Sequence, residues 1–340
     1  MELGVPALRQ FRQAHQLVET SKALDRLSLA IGDPLELLGQ YKNKLDWDRV
    51  QALLVVGGAY LVGAELKQAE KGRKAKECFH IALDWFDSND PLESQHIAKA
   101  SALHQLGRVA QEERDFAGAR ELYLQSLAIN EKKGNLQGAA TSYHQLGILA
   151  QEERDFAVAR EWYLKSLVIK EKLGNLHGAA VSYHQLGTVA EETRDFAVAR
   201  EWYLKSLAVD EKLGDMHGAS ASYHQLGMVA QEARDFLGAQ ELYLKSLAIN
   251  EKQGNLHRAA INYGQLGIVA GLEGQFVESG GWLIRSIVAF RNMNDERLAQ
   301  RMKGNFGISY QGAGSEDQRK MALMWRDAEL GEFPWEKPAG

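Results

Sequence analysis

The chain has 340 residues, 45% hydrophobic and 25% charged, with 32 glycines, five prolines and a single cysteine. Forty basic against 45 acidic side chains leave a net charge of −5, which provides no broad positive footprint for nucleic acid or an anionic membrane. A lone Cys78 excludes an intrachain disulfide and a four-cysteine zinc site, and no apolar run of about 18 residues, the length of a spanning helix, occurs.

The start, MELGVPALRQFRQAHQ, lacks the basic beginning and apolar centre of a secretory signal, so a soluble, cytoplasmic chain without membrane partners is expected. Residues 1–46 read as helical through the stripe Leu8, Phe11, His15 and Leu17. Residues 47–98 carry two further stripes, Leu53, Leu54, Val56, Tyr60 and then Ala75, Phe79, Ala82, Leu83. They predict a divergent helix pair with an altered connection through Lys67–Lys74. Between Pro91 and Pro334 there is no proline at all, which reads as helix after helix.

Within that stretch the sequence repeats. The glycine of Leu-Gly recurs at Gly107, Gly147, Gly187, Gly227 and Gly267, and after Phe306 at Gly307, a step of 40 residues. Arg-Asp-Phe recurs at Arg114, Arg154, Arg194 and Arg234, and a Glu-Lys-x-Gly ending at Gly134, Gly174, Gly214 and Gly254. Five 40-residue units therefore occupy residues 99–298. In each, a first stripe such as Ala139, Ala140, Tyr143, Leu146, Gly147, Ala150 predicts one amphipathic helix. A break at Arg154-Asp155-Phe156 follows, and Ala159, Tyr163, Leu167, Ile169 predict a second. Gly147 and its equivalents fall mid-helix, where a missing side chain allows a partner helix close; Gly174-Asn175 and its equivalents cap helix ends. Residues 299–332 read as a degenerate repeat, a Gln311–Gly314 loop and a capping helix over Glu316–Leu330, and residues 333–340 as a frayed tail carrying Trp335.

Tyr143, Leu146, Gly147, Ala150, Ala159, Tyr163 and Ser166 fall at the signature aromatic, Leu, Gly and small positions of a known repeat, and the pattern resembles the tetratricopeptide repeat family. The 40-residue form is similar to the repeats of kinesin light chains and of sensor regions in bacterial signalling or defence ATPases. Glu171 departs from the pattern, standing where a proline is usual. The resemblance implies an all-α, right-handed α-solenoid of antiparallel helix pairs, with residues 1–46 and the C-terminal helix covering its apolar ends.

It also implies a concave groove lined from the first helix of each pair. Transferred residue by residue, the groove carries His104, His144, His184 and His224, with Gln145, Gln185 and Gln225 beside them. Below these lie Glu112, Glu152, Glu192 and Glu232, where family members that clamp a carboxylate tail carry a lysine. A neutral or basic protein or peptide is the partner this implies. Two rows vary between repeats, Ser101, Thr141, Val181, Ala221, Ile261 and Arg108, Ile148, Thr188, Met228, Ile268. The groove turns apolar toward its C-terminal half, where Ile261 and Leu272 lie and Gly264 replaces the histidine. Selective binding and neutral drift at exposed positions both predict such variation. The histidines themselves are either duplicated residues bonded to neighbouring Gln or Glu, or partner contacts; a second row, His177, His217 and His257, starts the following helices. Equivalent residues on adjacent helix pairs lie roughly 10 Å apart, too far for shared zinc ligation. Trp162 and Trp202, replacing Leu122 and Leu242, are either inter-repeat packing or an outer binding patch.

No phosphate loop, zinc helix, nucleophile elbow or paired cysteine motif occurs. Gly271, Gly274, Gly280 and Gly281 follow no strand that would make them a phosphate cradle. Cys78 reads as a small buried apolar residue, since His80, two residues on, points elsewhere on a helix. No enzyme, cofactor, metal or nucleic-acid partner is expected. The reading is a protein- or peptide-binding scaffold, the recognition module of a larger signalling or defence assembly. The alternatives are a peptide-sensing conformational regulator and an enzyme with a site in its N-terminal helices.

Overall fold

The computed structural model describes residues 45–62, 68–89, 92 and 95–335; the expected cap over residues 1–46 lies almost wholly outside them. Among the described residues the fold is all-α, with no strand. The helices are α1 (Trp47–Val62), α2 (Gln68–Ser88), α3 (His96–Glu112), α4 (Phe116–Lys132), α5 (Leu136–Glu152) and α6 (Phe156–Lys172), then α7 (Leu176–Glu192), α8 (Phe196–Leu213), α9 (Met216–Glu232), α10 (Phe236–Lys252), α11 (Leu256–Leu272), α12 (Phe276–Asn292), α13 (Glu296–Gly312) and α14 (Ser315–Asp327). The chain divides into two compact units, Met1–Leu173 and Gly174–Gly340. Each consists of helix hairpins stacked in sequence order.

The turns inside and between hairpins are built differently. Inside a hairpin the chain reverses at Arg114, Arg154, Arg194 and Arg234, each left-handed at φ near 60°, and the next residue, an aspartate, caps the second helix. Asp155 Oδ1 accepts from Val158 N at 3.2 Å, and Asp115 and Asp235 accept likewise from Gly118 and Gly238. Between hairpins the left-handed residue is Gly134, Gly174, Gly214 or Gly254, where lack of a Cβ removes the strain that the arginines bear. Asn135, Asn175, Asp215 and Asn255 then cap the following helix.

Packing within each hairpin rests on the mid-helix glycine. A Cβ placed on Gly147 would lie 2.6 Å from the Tyr163 ring, and Gly107, Gly187 and Gly227 meet Tyr123, Tyr203 and Tyr243 in the same way. These tyrosines are fully buried. The serine three residues on is buried too and is more than a small filler. Ser126, Ser166, Ser206, Ser246 and Ser286 donate to the carbonyls of Ala100, Ala140, Ala180, Ser220 and Ala260 at 2.7–3.0 Å, satisfying a hydroxyl that would otherwise be costly to bury. Trp162 packs against the core that its own hairpin shares with the preceding one, as inter-repeat packing predicts, and neither Trp162 nor Trp202 stands free. They stack on Tyr143 and Tyr183 of their own hairpins at 5.5 and 5.8 Å, under Lys165 and Lys205, and Trp282 repeats the arrangement on Tyr263.

Three expectations are corrected at the ends. The segment Lys67–Lys74 is not wholly a connection, because α2 already begins at Gln68. The capping helix is shorter than Glu316–Leu330, closing at Asp327 into a turn where Glu329 and Gly331 take positive φ. The tail is not frayed at Trp335. Gly307 leaves space for its indole, since a Cβ there would lie 2.7 Å away, and Trp335 joins Phe306, Tyr310, Trp325 and Phe333 in one aromatic cluster. At the other end Cys78 is fully buried in the core with Val56, Phe79 and Ala82.

Two substitutions test this account by thermal unfolding followed by circular dichroism. Gly147→Ala drives a methyl into the Tyr163 ring and is expected to destabilise by about 1–3 kcal/mol. Arg154→Gly removes left-handed strain and is expected to stabilise by about 1 kcal/mol, so a lowered Tm there would contradict it.

Candidate functional site

The first helix of each hairpin presents its histidine over the ring of the second helix. In the unit of residues 1–173, His104 and His144 lie 5.3 and 5.5 Å from the centroids of Tyr123 and Tyr163. In the unit of residues 174–340, His184 and His224 repeat this on Tyr203 and Tyr243 at 5.3 and 5.4 Å. Of the two readings of these histidines, bonds to neighbouring Gln or Glu and partner contacts, the first does not describe them: each lies against a tyrosine ring, and His224 also bonds Asn262 at 2.7 Å. The contact follows from the glycine: the ring that fills the missing Cβ's place presents its other parts to the histidine one turn away.

Burial lowers the pKa of His104 and of His144 from an ordinary 6.5 to about 4, helped by the charges of Arg108 and Lys170 respectively. His184 and His224 are lowered in the same direction by burial, with Arg258 adding to it, while the bond to Asn262 offsets part of the lowering at His224. At neutral pH all four are uncharged. In the second row, His177 Nδ1 and His257 Nε2 lie 3.6 and 3.9 Å from carboxylate oxygens of Asp215 and Asp295.

Each tyrosine hydroxyl is held by the residue before the expected groove glutamate. Tyr123, Tyr163 and Tyr243 donate to Gln111, Gln151 and Gln231 at 2.9–3.1 Å. Tyr203 donates to Glu191 Oε2 at 2.7 Å, where one repeat has a carboxylate in place of the amide. Burial raises the pKa of Glu191, and repulsion from Glu192 and Glu232 raises it further. Glu112, Glu152, Glu192 and Glu232 are exposed, whereas Gln145, Gln185, Ile148 and Ile268 are half-buried. Arg108 donates to Gln105 at 3.3 Å, and Thr188 Oγ1 accepts from Tyr203 and donates to its own helix at His184 O.

The unit of residues 174–340 gathers part of the predicted set into two pockets. One, of about 230 Å³, is lined by His184, His224, Gln225 and Ile261 together with Ser220, Asn250, Arg258 and Asn262. The other, of about 220 Å³, brings Met228 and Glu232 together with Glu191, Arg194, Phe196 and Gln231. Gln225, which lines the first, donates through its amide to Tyr203 Oη at 3.3 Å and to Glu191, which lines the second, at 3.5 Å. Gln185, Ile268 and Leu272 line neither pocket. Gly264 does not open the groove where it replaces histidine, because Met302 Sδ occupies that space, 2.6 Å from where a Cβ would sit; Ile261 also leans on that C-terminal core. Sequence reasoning missed Glu191, Asn250, Arg258 and Asn262. The signal lay in departures from the repeat: glutamate for glutamine at 191, arginine for Gly138, Gly178 and Gly218 at 258, asparagine for serine at 262.

Among the described residues no helix is long and apolar enough to cross a membrane. The described Cys78 thiol, enclosed in the core, offers no nucleophile to a substrate.

Two tetratricopeptide-repeat family models match, over residues 100–133 and 138–212. No curated protein matches the chain in sequence. Among solved structures, aspartyl phosphate phosphatase F from Bacillus subtilis aligns with a TM-score of 0.61 at 10% identity, over 92% of this chain and 83% of that one. A Rap protein complexed with Competence and Sporulation Factor aligns at 0.56 and 12% identity, over 96% and 87%. A putative kinesin light chain from Podospora anserina with nearly identical TPR-like repeats aligns at 0.51 and 21%, over 61% and 97%. At these identities the likeness is one of fold.

The neutral histidines make stability pH-dependent. A histidine whose folded pKa lies below its unfolded value takes up protons first in the unfolded chain, so its contribution is full above pH 6.5 and lost as pH falls toward 4. The Tm of the native protein is expected to drop more steeply across that window than that of the His104→Gln, His144→Gln double variant; parallel profiles would overturn the assignment.

Proposed function

We propose that this chain, whose residues 100–133 and 138–212 are tetratricopeptide repeats, is a protein- or peptide-binding scaffold that serves as the recognition module of a signalling or defence assembly. The observation that carries the reading is the pair of adjoining pockets on the helices bearing the predicted groove residues, in the unit of residues 174–340. Their floor is rigid: buried tyrosines, neutral histidines and hydroxyl bonds fix it before any partner arrives, so little ordering cost remains for binding. Glu191 and Glu232 line one of them with Glu192 close enough to add to their charge, against the single cation Arg194, which pairs with Glu232 at 3.8 Å and lies over Phe196; Met228 supplies apolar wall beside them. A lysine or arginine side chain laid along that wall gains an ion pair while burying its methylenes. A basic peptide segment is therefore the partner the charges favour.

A second reading, a conformational regulator that responds to a peptide, is supported by the fold likeness to the Rap protein solved with Competence and Sporulation Factor. It requires a change in scattering radius when a selected peptide is added, which a fixed scaffold does not show.

Selection from a phage-displayed random peptide library tests the scaffold directly. The native chain is expected to enrich peptides with a lysine or arginine at one position, and the Glu192→Lys, Glu232→Lys double variant to lose that preference without losing thermal stability. Failure to enrich any peptide over an unrelated helical-repeat control would sink the reading, and an identical consensus from both proteins would remove the acidic pocket from it.

A further inference from the structure

We infer that the pocket lined by His224, Asn250, Arg258 and Asn262 is a subsite for a primary carboxamide, the side chain of a glutamine or asparagine in the bound peptide. The inference rests on the peptide-binding reading and adds to it the chemistry of one position.

The hydrogen bonds inside the pocket determine what it lacks. Ser246 Oγ donates to Ser220 O at 2.9 Å, and so it can only accept from its other neighbours. It accepts from Asn262 Nδ2 at 2.9 Å and from Asn250 Nδ2 at 3.3 Å, which turns both amide oxygens away from it. Asn262 Oδ1 is taken by His224 Nδ1 at 2.7 Å. A neutral imidazole has one N–H, so donation from Nδ1 leaves Nε2 as an acceptor. Asn250 Oδ1 has no partner, although the residue is only 1% exposed. Leaving such an oxygen unsatisfied costs about 1–3 kcal/mol. Arg258 belongs to none of the salt bridges found among the described residues and supplies donors on the pocket wall.

The pocket lining thus holds two unused acceptors, His224 Nε2 and Asn250 Oδ1, the latter reached by a ligand only when the side chains that cover it move aside, and one cationic donor, beside His184, Ser220 and Gln225. A carboxylate would pair with Arg258 but has no hydrogen for either acceptor. An ammonium or guanidinium would serve the acceptors but meets the charge of Arg258. A primary carboxamide has two N–H groups and one carbonyl oxygen, matching all three. Ala221 and Ile261 line the same pocket and suit the methylenes behind the amide, and about 230 Å³ accommodates them.

A single departure from the repeat accounts for the vacancy of the oxygen. At Gly138 and Gly218, a Cβ would lie 2.4 Å from Asn130 and 2.7 Å from Asp210, so glycine there leaves room for the polar residue that precedes the turn. Asn130 Oδ1 uses that room to accept from Asn135 Nδ2 at 2.7 Å. Position 258 carries arginine instead, and Asn250, the counterpart of Asn130, keeps an unpaired oxygen.

The test is a nuclear magnetic resonance titration of the full chain with N-acetyl-L-glutamine methylamide, reading the side-chain amide signals of Asn250 and Asn262. Saturable shifts with a dissociation constant on the order of 1–10 mM are expected for so small a probe. Binding should be about tenfold weaker in Arg258→Gly, a variant that restores the residue of the sister repeats and so should fold. The blocked methionine analogue should not bind. No saturable shift, or equal binding by Arg258→Gly, overturns the inference; tighter binding of the blocked glutamate analogue overturns it in favour of an anion site. The library selection stands apart from these outcomes: enriched peptides without a pocket response remove the subsite alone, whereas no enrichment removes the binding reading beneath it.

Discussion

The missing Cβ in the middle of each hairpin's first helix is the constraint from which the remaining geometry follows. Because Gly147 has no side chain, the Tyr163 ring occupies the space a Cβ would take, and any larger residue would have to displace a fully buried ring. Once the ring is seated there, its hydroxyl falls beside Gln151 and its face beside His144. The same three consequences recur at Tyr123, Tyr203 and Tyr243. A residue chosen for what it lacks thus fixes the helix spacing, the histidine's protonation and the polar lining of the exposed face. Where the pairing changes, so does the surface: Gly267 faces Leu283, which has no hydroxyl, and there Gly264 stands in place of histidine with Met302 over it.

Much of the fold was legible because it is written several times over. Helix pairs, mid-helix glycines and glycine caps all announce themselves at a 40-residue step. The arginines at the inner turns did not reveal their left-handed backbone, since arginine has no preference for it; the aspartate cap and the following helix impose it. Trp335 was misread because it occurs once, outside any period, and its place depends on the space beside Gly307 in a distant helix.

The candidate site was half legible for the same reason. The histidine and glutamate rows were found because they repeat, but the tyrosine beneath each histidine lies 19 residues along the chain, and no local pattern couples them. Attention to what recurs also passed over the residues that do not. Glu191, Arg258 and Asn262 are single departures among near-copies, and they are what make one face differ from the next. In a chain of duplicated units the repeated residues state the architecture, while the exceptions carry whatever is particular to this molecule.

The recurring bonds also have a short reach. Tyrosine to glutamine spans 12 residues and serine to carbonyl spans 26, less than one repeat. No such bond requires distant parts of the chain to find one another, so the entropy of closing large loops never enters, and hairpins can form in any order. Copy number is consequently a quantity that genetic exchange can alter: gaining or losing one unit reproduces junctions of the kind already present, leaving evolution free to lengthen or shorten the reading surface without redesigning a core.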